Sequence, residues 1–192
     1  VDYRLSPEHR HPAAFEDVLD IYHSLTKKTP ISLVGDSAGG TLISMLANHL
    51  TTSNKAVKGQ LLIYPYLGGN MEVGSYKQHS EAPCLTTVNM IFYLNSWMSK
   101  DLNSIKLPLD ESDFSKLPPT IVFTASDDPL NSDGIDYVRK IKQANGKAIH
   151  FEGNGLVHGF LRARHSVKKA RESFSKIIQS ITLLSQDRWP YS

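Results

Sequence analysis

The sequence predicts an α/β fold: a parallel sheet flanked by helices on both faces. Three observations carry this expectation. Short apolar runs of strand length alternate with longer stretches whose apolar residues recur at helical spacing. Runs such as Leu61-Leu62-Ile63 and Ile121-Val122-Phe123 are apolar without interruption, as in strands buried on both faces. Between the first such run and the helix after it lies Gly35-Asp36-Ser37-Ala38-Gly39, a G-x-S-x-G turn. Strands joined through helices must run parallel, and the helices then cover the sheet.

In chain order, residues 1–3 read as the end of a strand. Ser6-Pro7-Glu8-His9-Arg10-His11-Pro12 reads as a loop bracketed by prolines. Pro12 suits a first helical turn. Ala14, Val18, Tyr22 and Leu25 follow at helical spacing, with Phe15 and Leu19 widening the stripe, and Lys27-Lys28-Thr29-Pro30 stops the helix. Residues 31–34 form a short strand, and residues 41–50 a helix that is apolar over most of its surface. A second strand spans 59–64 and ends at Pro65.

Residues 66–118 break the rhythm. Gly68-Gly69-Asn70 and Gly74-Ser75 are loop signals. One helix is expected over 87–98, rich in large side chains: Met90, Ile91, Phe92, Tyr93, Leu94, Trp97 and Met98. Core packing explains most of these, and some could line a pocket over the serine. A strand over 120–125, a helix over 132–144 stopped by Asn145-Gly146, and a strand over 147–151 follow. Residues 153–160 read as a loop and about 165–184 as the last helix. Its apolar face carries Val167, Ala170, Phe174, Ile177, Ile178, Ile181 and Leu184. The division expected is one domain over 1–186, with a loop and helical insertion at 66–118, and a loose tail at 187–192.

The chain has 192 residues, 40% of them apolar and 21% charged, which suits a globular domain with a sizeable core. A net charge of +2 is too small to point to nucleic acid as a partner. No apolar run approaches the roughly 20 residues that span a bilayer. No membrane or oligomeric partner is legible. Cys84 is the one cysteine, so an intrachain disulfide and any multi-cysteine metal site are excluded. A lone cysteine fits a reducing, cytoplasmic compartment. His9 and His11 sit two apart beside Glu8, but no third ligand follows at metal spacing. The chain opens with Val1 in what reads as the end of a strand, so further residues are expected before it, a signal or anchor among the possibilities.

The serine turn points to chemistry. A serine between strand and helix sits on a sharp turn, and glycines two residues either side relieve the crowding. The following helix aims its free N–H groups at the same spot, where they favour developing negative charge. A serine hydroxyl attacks a carbonyl only when a base takes its proton and an acid orients that base. Such groups gather beyond the carboxyl ends of parallel strands. After the strand at 120–125 come Asp127 and Asp128, with Asp133 and Asp136 further on; Asp128, held by Pro129, is the better candidate acid. Asp133 reads as a first-turn helix aspartate. After the strand at 147–151 comes His158. His23 and His49 lie in helices, His150 in a strand, and His9, His11 and His79 in early loops; His165 is the other candidate base.

Several stretches together resemble the α/β-hydrolases of the hormone-sensitive lipase-like group. They are Val1-Asp2-Tyr3-Arg4-Leu5-Ser6-Pro7-Glu8, Pro12-Ala13-Ala14-Phe15-Glu16-Asp17, Gly35-Asp36-Ser37-Ala38-Gly39-Gly40, Tyr64-Pro65, Asp128-Pro129-Leu130 with Asp133-Gly134, and His158-Gly159-Phe160. The resemblance implies Ser37 as nucleophile, Asp128 as acid, His158 as base and the Ala38 N–H as one oxyanion donor. It implies hydrolysis of short-chain acyl or aryl esters through an acyl-enzyme, with no cofactor and no metal. An amidase or peptidase with the same triad, or a ligand-binding receptor of the same fold, are the rival readings. The chain departs from the family in two ways. Ser126 stands where the family usually has a glutamate, and the family's H-G-G-G loop, which supplies further oxyanion donors, is not in these residues. The expectation is therefore a C-terminal part of an esterase. Its N-terminal strands are missing, the edge of the strand at 31–34 is open, and it has little activity on its own.

Overall fold

The computed structural model describes residues 1–25, 30–51, 57–98 and 105–191. Strands β1 (Ile31–Asp36), β2 (Val57–Ile63), β3 (Thr120–Asp127) and β4 (Ala148–Val157) form one sheet in the order β1-β2-β3-β4, every pair parallel. The helices are α1 (Ala13–Leu25), α2 (Ala38–Leu50), α3 (Gly74–Gln78), α4 (Thr87–Trp97), α5 (Asn131–Gln143) and α6 (Lys168–Ser185).

The pleat sorts the apolar runs onto two faces. Leu61 pairs with Ile121, Leu62 with Val122 and Ile63 with Phe123. Successive side chains of a strand point to opposite faces. Leu62 and Val122 therefore join Leu33 in a core filled by α1, α2 and α5, through Val18, Tyr22, Leu42, Leu46, Tyr137 and Ile141. Leu61, Ile63, Ile121 and Phe123 face the other way, onto Ala170, Ile177 and Leu184 of α6. Each fully buried Leu or Ile here contributes about 1.5–3 kcal/mol.

The expected elements are present with shifted ends. β1 and β3 each run two residues further than read, carrying the sheet up to Ser37 and Asp128. α3 replaces part of the expected loop after Gly74. The last helix begins at Lys168; a 3₁₀ turn at Phe160–Ala163 occupies the chain before it. Residues 153–157, expected as loop, continue β4 through a bulge. Between Ala125↔Gly153 and Asp127↔Val157, β3 advances two residues and β4 four. Gly155 takes φ 71° inside that bulge, a conformation glycine adopts without penalty. Its N–H donates to Ser126 Oγ at 2.8 Å.

Two readings are corrected. Residues 1–3 form no strand. The backbone N–H of Arg4 donates to Asp17 Oδ2 at 2.8 Å, so this segment bonds to α1 and joins no sheet ladder. The tail at 187–191 is not loose: Asp187 pairs with Lys58 at 2.8 Å, and Tyr191 Oη lies 2.9 Å from Ser180 Oγ. Trp189 and Tyr191 pack onto the core beneath α6. The stop signal at Lys27-Lys28-Thr29 lies outside the described residues.

The segment after β2 builds a separate apolar cluster from Tyr66, Tyr76, Leu85, Met90, Met98, Ile105 and Leu107, joined by Leu130 from the start of α5. It is joined to the start of α5 by polar bonds. Ser75 Oγ donates to the Pro129 carbonyl at 2.6 Å, the Ser75 N–H to Ser132 Oγ at 2.9 Å, and the Ser132 N–H to Ser75 Oγ at 2.9 Å. Of the large residues at 90–98, Met90 and Met98 are buried in this cluster and Leu94 and Trp97 pack against it, while Ile91, Phe92 and Tyr93 are exposed.

Candidate active site

The chain leaves β1 at Asp36 and enters α2 at Ala38, so Ser37 alone makes the turn. Its φ is 51°, a region costly for a residue with a Cβ. The Ser37 N–H donates to the Ile63 carbonyl at 2.9 Å, and the Thr41 N–H to the Ser37 carbonyl at 3.1 Å, so the turn is bonded to β2 and to its own helix. Of the two expected flanking glycines, one is required. A Cβ on Gly35 would lie 2.4 Å from the Gly39 carbonyl oxygen, whereas one on Gly39 would meet nothing within 4 Å. Gly40 is the second tight position, because a Cβ there would come within 2.9 Å of Pro65 Cβ.

Asp128 lies one residue past β3 and is fully buried. Its Oδ1 accepts the Leu130 N–H at 2.9 Å, an aspartate turn that fixes the carboxylate. His158 lies one residue past β4, followed by Gly159 at φ 73°. The bulge in β4 sets how far the chain travels before the imidazole. His158 Nδ1 stands 2.8 Å from Asp128 Oδ2, and His158 Nε2 stands 2.8 Å from Ser37 Oγ. An acceptor-only carboxylate at Nδ1 requires the proton there, which leaves Nε2 free to accept from the serine hydroxyl. The three residues expected to act together thus form one hydrogen-bonded line. Ala38 opens α2, and its N–H is one of the first-turn donors with no partner within the helix.

The other candidates lie elsewhere. Asp127 accepts from Ser126 Oγ, and Asp136 pairs with Arg139. His150 Nε2 lies 2.7 Å from Thr124 Oγ1, while His165 is exposed in the turn between the 3₁₀ segment and α6. His11 packs edge-on against Trp97, with Arg10 donating to the Asn95 and Met98 carbonyls at the end of α4. Among the described residues, no group of three His, Cys, Asp or Glu side chains could hold a metal ion.

Two residues around the line were given no such role by the sequence. Asp133 lies in the first turn of α5, as expected, and is buried there. Its Oδ2 accepts the N–H of Leu67 at 2.7 Å and of Gly69 at 3.2 Å. Burial pushes its carboxyl up to about 6, although those N–H groups pull the other way. Tyr64, at the end of β2, stands between the serine and histidine loops. Its hydroxyl donates to Asp36 Oδ2 at 3.2 Å, and its ring centroid lies 4.8 Å from that of His158. Burial, with the Asp36 carboxylate adding to it, pushes the Tyr64 phenol above its usual range, so it remains a donor. Tyr64-Pro65 was visible as a motif, but a ring against an imidazole 94 residues on leaves no local signal.

A family model described as the α/β-hydrolase fold matches residues 1–162. The chain belongs to the α/β-hydrolase fold family. Within it, this α/β-hydrolase falls in the hormone-sensitive lipase-like group. It is 27% identical to the ethyl acetate hydrolase of Pseudomonas putida, over 94% of this chain and 61% of that protein. It is 30% identical to Esterase LipI of Mycobacterium tuberculosis, over 92% of this chain and 59% of that one. Among solved structures, the thermophilic carboxylesterase EstE1, cloned from a metagenomic library, matches with a TM-score of 0.89 at 30% identity. That match covers 97% of this chain and 68% of EstE1. The α/β-hydrolase chain thus spans about three fifths of the length of the two curated relatives. No helix among the described residues is long and apolar enough to cross a membrane.

Proposed function

We propose that this chain carries the catalytic triad of a serine carboxylesterase acting on short-chain acyl or aryl esters. The observation that carries the reading is the line Ser37 Oγ–His158 Nε2 and His158 Nδ1–Asp128 Oδ2, with both distances 2.8 Å. His158 takes the Ser37 proton as the hydroxyl oxygen bonds to the ester carbonyl carbon. Asp128 holds the imidazolium that results. The carbonyl oxygen becomes an oxyanion facing the Ala38 N–H at the start of α2. The tetrahedral adduct collapses, the C–O bond to the alcohol breaks, and His158 returns the proton to the departing alkoxide. Water then repeats the sequence on the acyl-enzyme, with His158 as its base, releasing the acid and free Ser37. This chemistry calls on no cofactor.

Residues 1–186 act in this reading as one catalytic domain, with the 66–118 segment flanking the substrate pocket. Relatives with ester-hydrolase names support the substrate class. In the full-length gene product, Ser37→Ala abolishes p-nitrophenyl ester hydrolysis and labelling by a fluorophosphonate probe. Turnover that survives the substitution overturns the assignment. An activated serine that labels but hydrolyses amides instead of esters would move the reading to the amidase class.

A further inference from the structure

The two hydrogen bonds at the ends of the His158 ring fix the Nδ1–Nε2 axis but not the swing of the ring plane about it. One side of that swing is closed by Tyr64. The Tyr64 ring lies 4.8 Å from the imidazole, centroid to centroid, with the planes 60° apart. It is itself braced from three directions. Phe160 stands edge-on to it at 5.1 Å, its hydroxyl is held by Asp36 Oδ2 at 3.2 Å, and its backbone N–H donates to the Phe123 carbonyl at 2.6 Å. Tyr64 has φ 37°, unusual for a residue with a Cβ, and is buried. Strain of this kind persists where the surroundings over-determine a conformation, and it concentrates at functional sites.

From this geometry we infer that Tyr64 is a positioning residue for the base. Its ring is a wall that holds the His158 imidazole in the plane from which Nε2 can serve both the serine and the leaving group. The inference rests on the esterase reading above. The wall matters most once Ser37 is acylated. Its oxygen then has no proton to donate to Nε2, and one of the two bonds that fixed the ring is gone. Without the wall, the imidazole is free to turn away from the water it must activate. Asp36 links this brace to the nucleophile, because it precedes Ser37 in the chain and holds the Tyr64 hydroxyl.

The test compares Tyr64→Leu, which removes the ring, with Tyr64→Phe, which keeps it, in the full-length gene product with p-nitrophenyl acetate. Tyr64→Leu is expected to lower kcat by about 10- to 100-fold with KM within about 3-fold, the size of loss that misplacement of a catalytic group produces. Tyr64→Phe is expected to recover most of that loss. A folded Tyr64→Leu with kcat within about 3-fold of wild type, a loss confined to KM, or a Tyr64→Phe as impaired as Tyr64→Leu each overturns the proposal. If Tyr64→Leu does not fold, Phe160→Leu, which removes the far brace, is expected to lower kcat several-fold at unchanged KM, and an unchanged kcat overturns it. The downfield proton resonance of His158 Nδ1–H supplies a readout independent of turnover: sharp in wild type and Tyr64→Phe, broadened in Tyr64→Leu. A wild type that hydrolyses no ester would sink the esterase reading alone, since the resonance still reports on the wall.

Discussion

α2 and α4 are both rich in apolar residues, yet they meet opposite fates. α2 buries Leu42, Ile43, Leu46, Ala47 and Leu50, and even Thr41 and Ser44. α4 buries Met90 only, and leaves Val88 67% and Phe92 64% exposed, with Ile91 and Tyr93 also exposed. The difference lies in the surroundings. α2 is packed between β1, β2 and α1, so nearly every direction offers an apolar neighbour. α4 is held by polar contacts at both ends. Its start is capped by Thr86 and Asn89, which bond reciprocally, and its end by Arg10 donating to two carbonyls. An apolar composition makes burial favourable; only a partner surface makes it happen.

Three substitutions break or sharpen this contrast. The largest effect is expected in α2. Leu46→Ala, at 1% exposure, should destabilise the fold by about 2–5 kcal/mol, read as a lower denaturation midpoint in urea. A smaller loss would mean that α2 can collapse around the cavity and is less tightly enclosed than its burial indicates.

The second concerns how the segment that carries α4 is joined to the body. Asp133 on α5 holds the backbone of Leu67 and Gly69, and its carboxyl is pushed up to about 6 in the folded state from an ordinary 3.8. Between these values the folded state binds a proton that the unfolded state has released. Stability from this group is therefore fully present below about pH 4, and is lost as pH rises toward 6 and above. The loss is on the order of 2–3 kcal/mol. Asp133→Asn keeps an acceptor oxygen and abolishes the titration. The wild-type stability minus that of Asp133→Asn should fall by this amount between pH 4 and pH 7 in denaturant titrations. A difference that stays flat, or rises with pH, contradicts a buried carboxyl at this position.

The smallest effect is expected on the exposed face of α4. Phe92→Ala should change stability by no more than about 0.5 kcal/mol. A loss of 2 kcal/mol or more, of the size expected for a core aromatic, would show that this face is covered in the protein in solution.

Much of this molecule was legible in advance, for identifiable reasons. The four strands are legible because short, largely apolar runs alternating with helical stretches have few other uses in an α/β chain. Ser37, Asp128 and His158 are legible from the serine turn, from the serine–acid–histidine order past successive strands and from the family resemblance; the structure then sets each of them one step past a strand. What escaped depended on contacts far apart in the chain. The β4 bulge reads as loop in the sequence, because glycines at 153 and 155 look the same in either state. Asp133 is legible as a first-turn helix aspartate, but nothing local reveals that it reaches the backbone of residues 67 and 69. Gly39 was credited with relief that Gly35 and Gly40 provide, because which Cβ would clash depends on where the neighbouring backbone passes.

The sequence by itself determined the order of the elements, the two-faced sheet and the identity of the three residues in line. The first two follow from local periodicity, which short-range sterics and hydrophobic burial set; the three residues follow from their order past strand ends together with the family resemblance. Only the tertiary structure decided the 2.8 Å spacings, the burial of Asp128, the exposed face of α4 and the approach of the Tyr64 ring to His158. These depend on the distances between strand ends, and those are fixed by the register of parallel strands and by one bulge. The serine turn is thus a local property of the chain. Its alignment with His158, 121 residues away, is a property of the sheet.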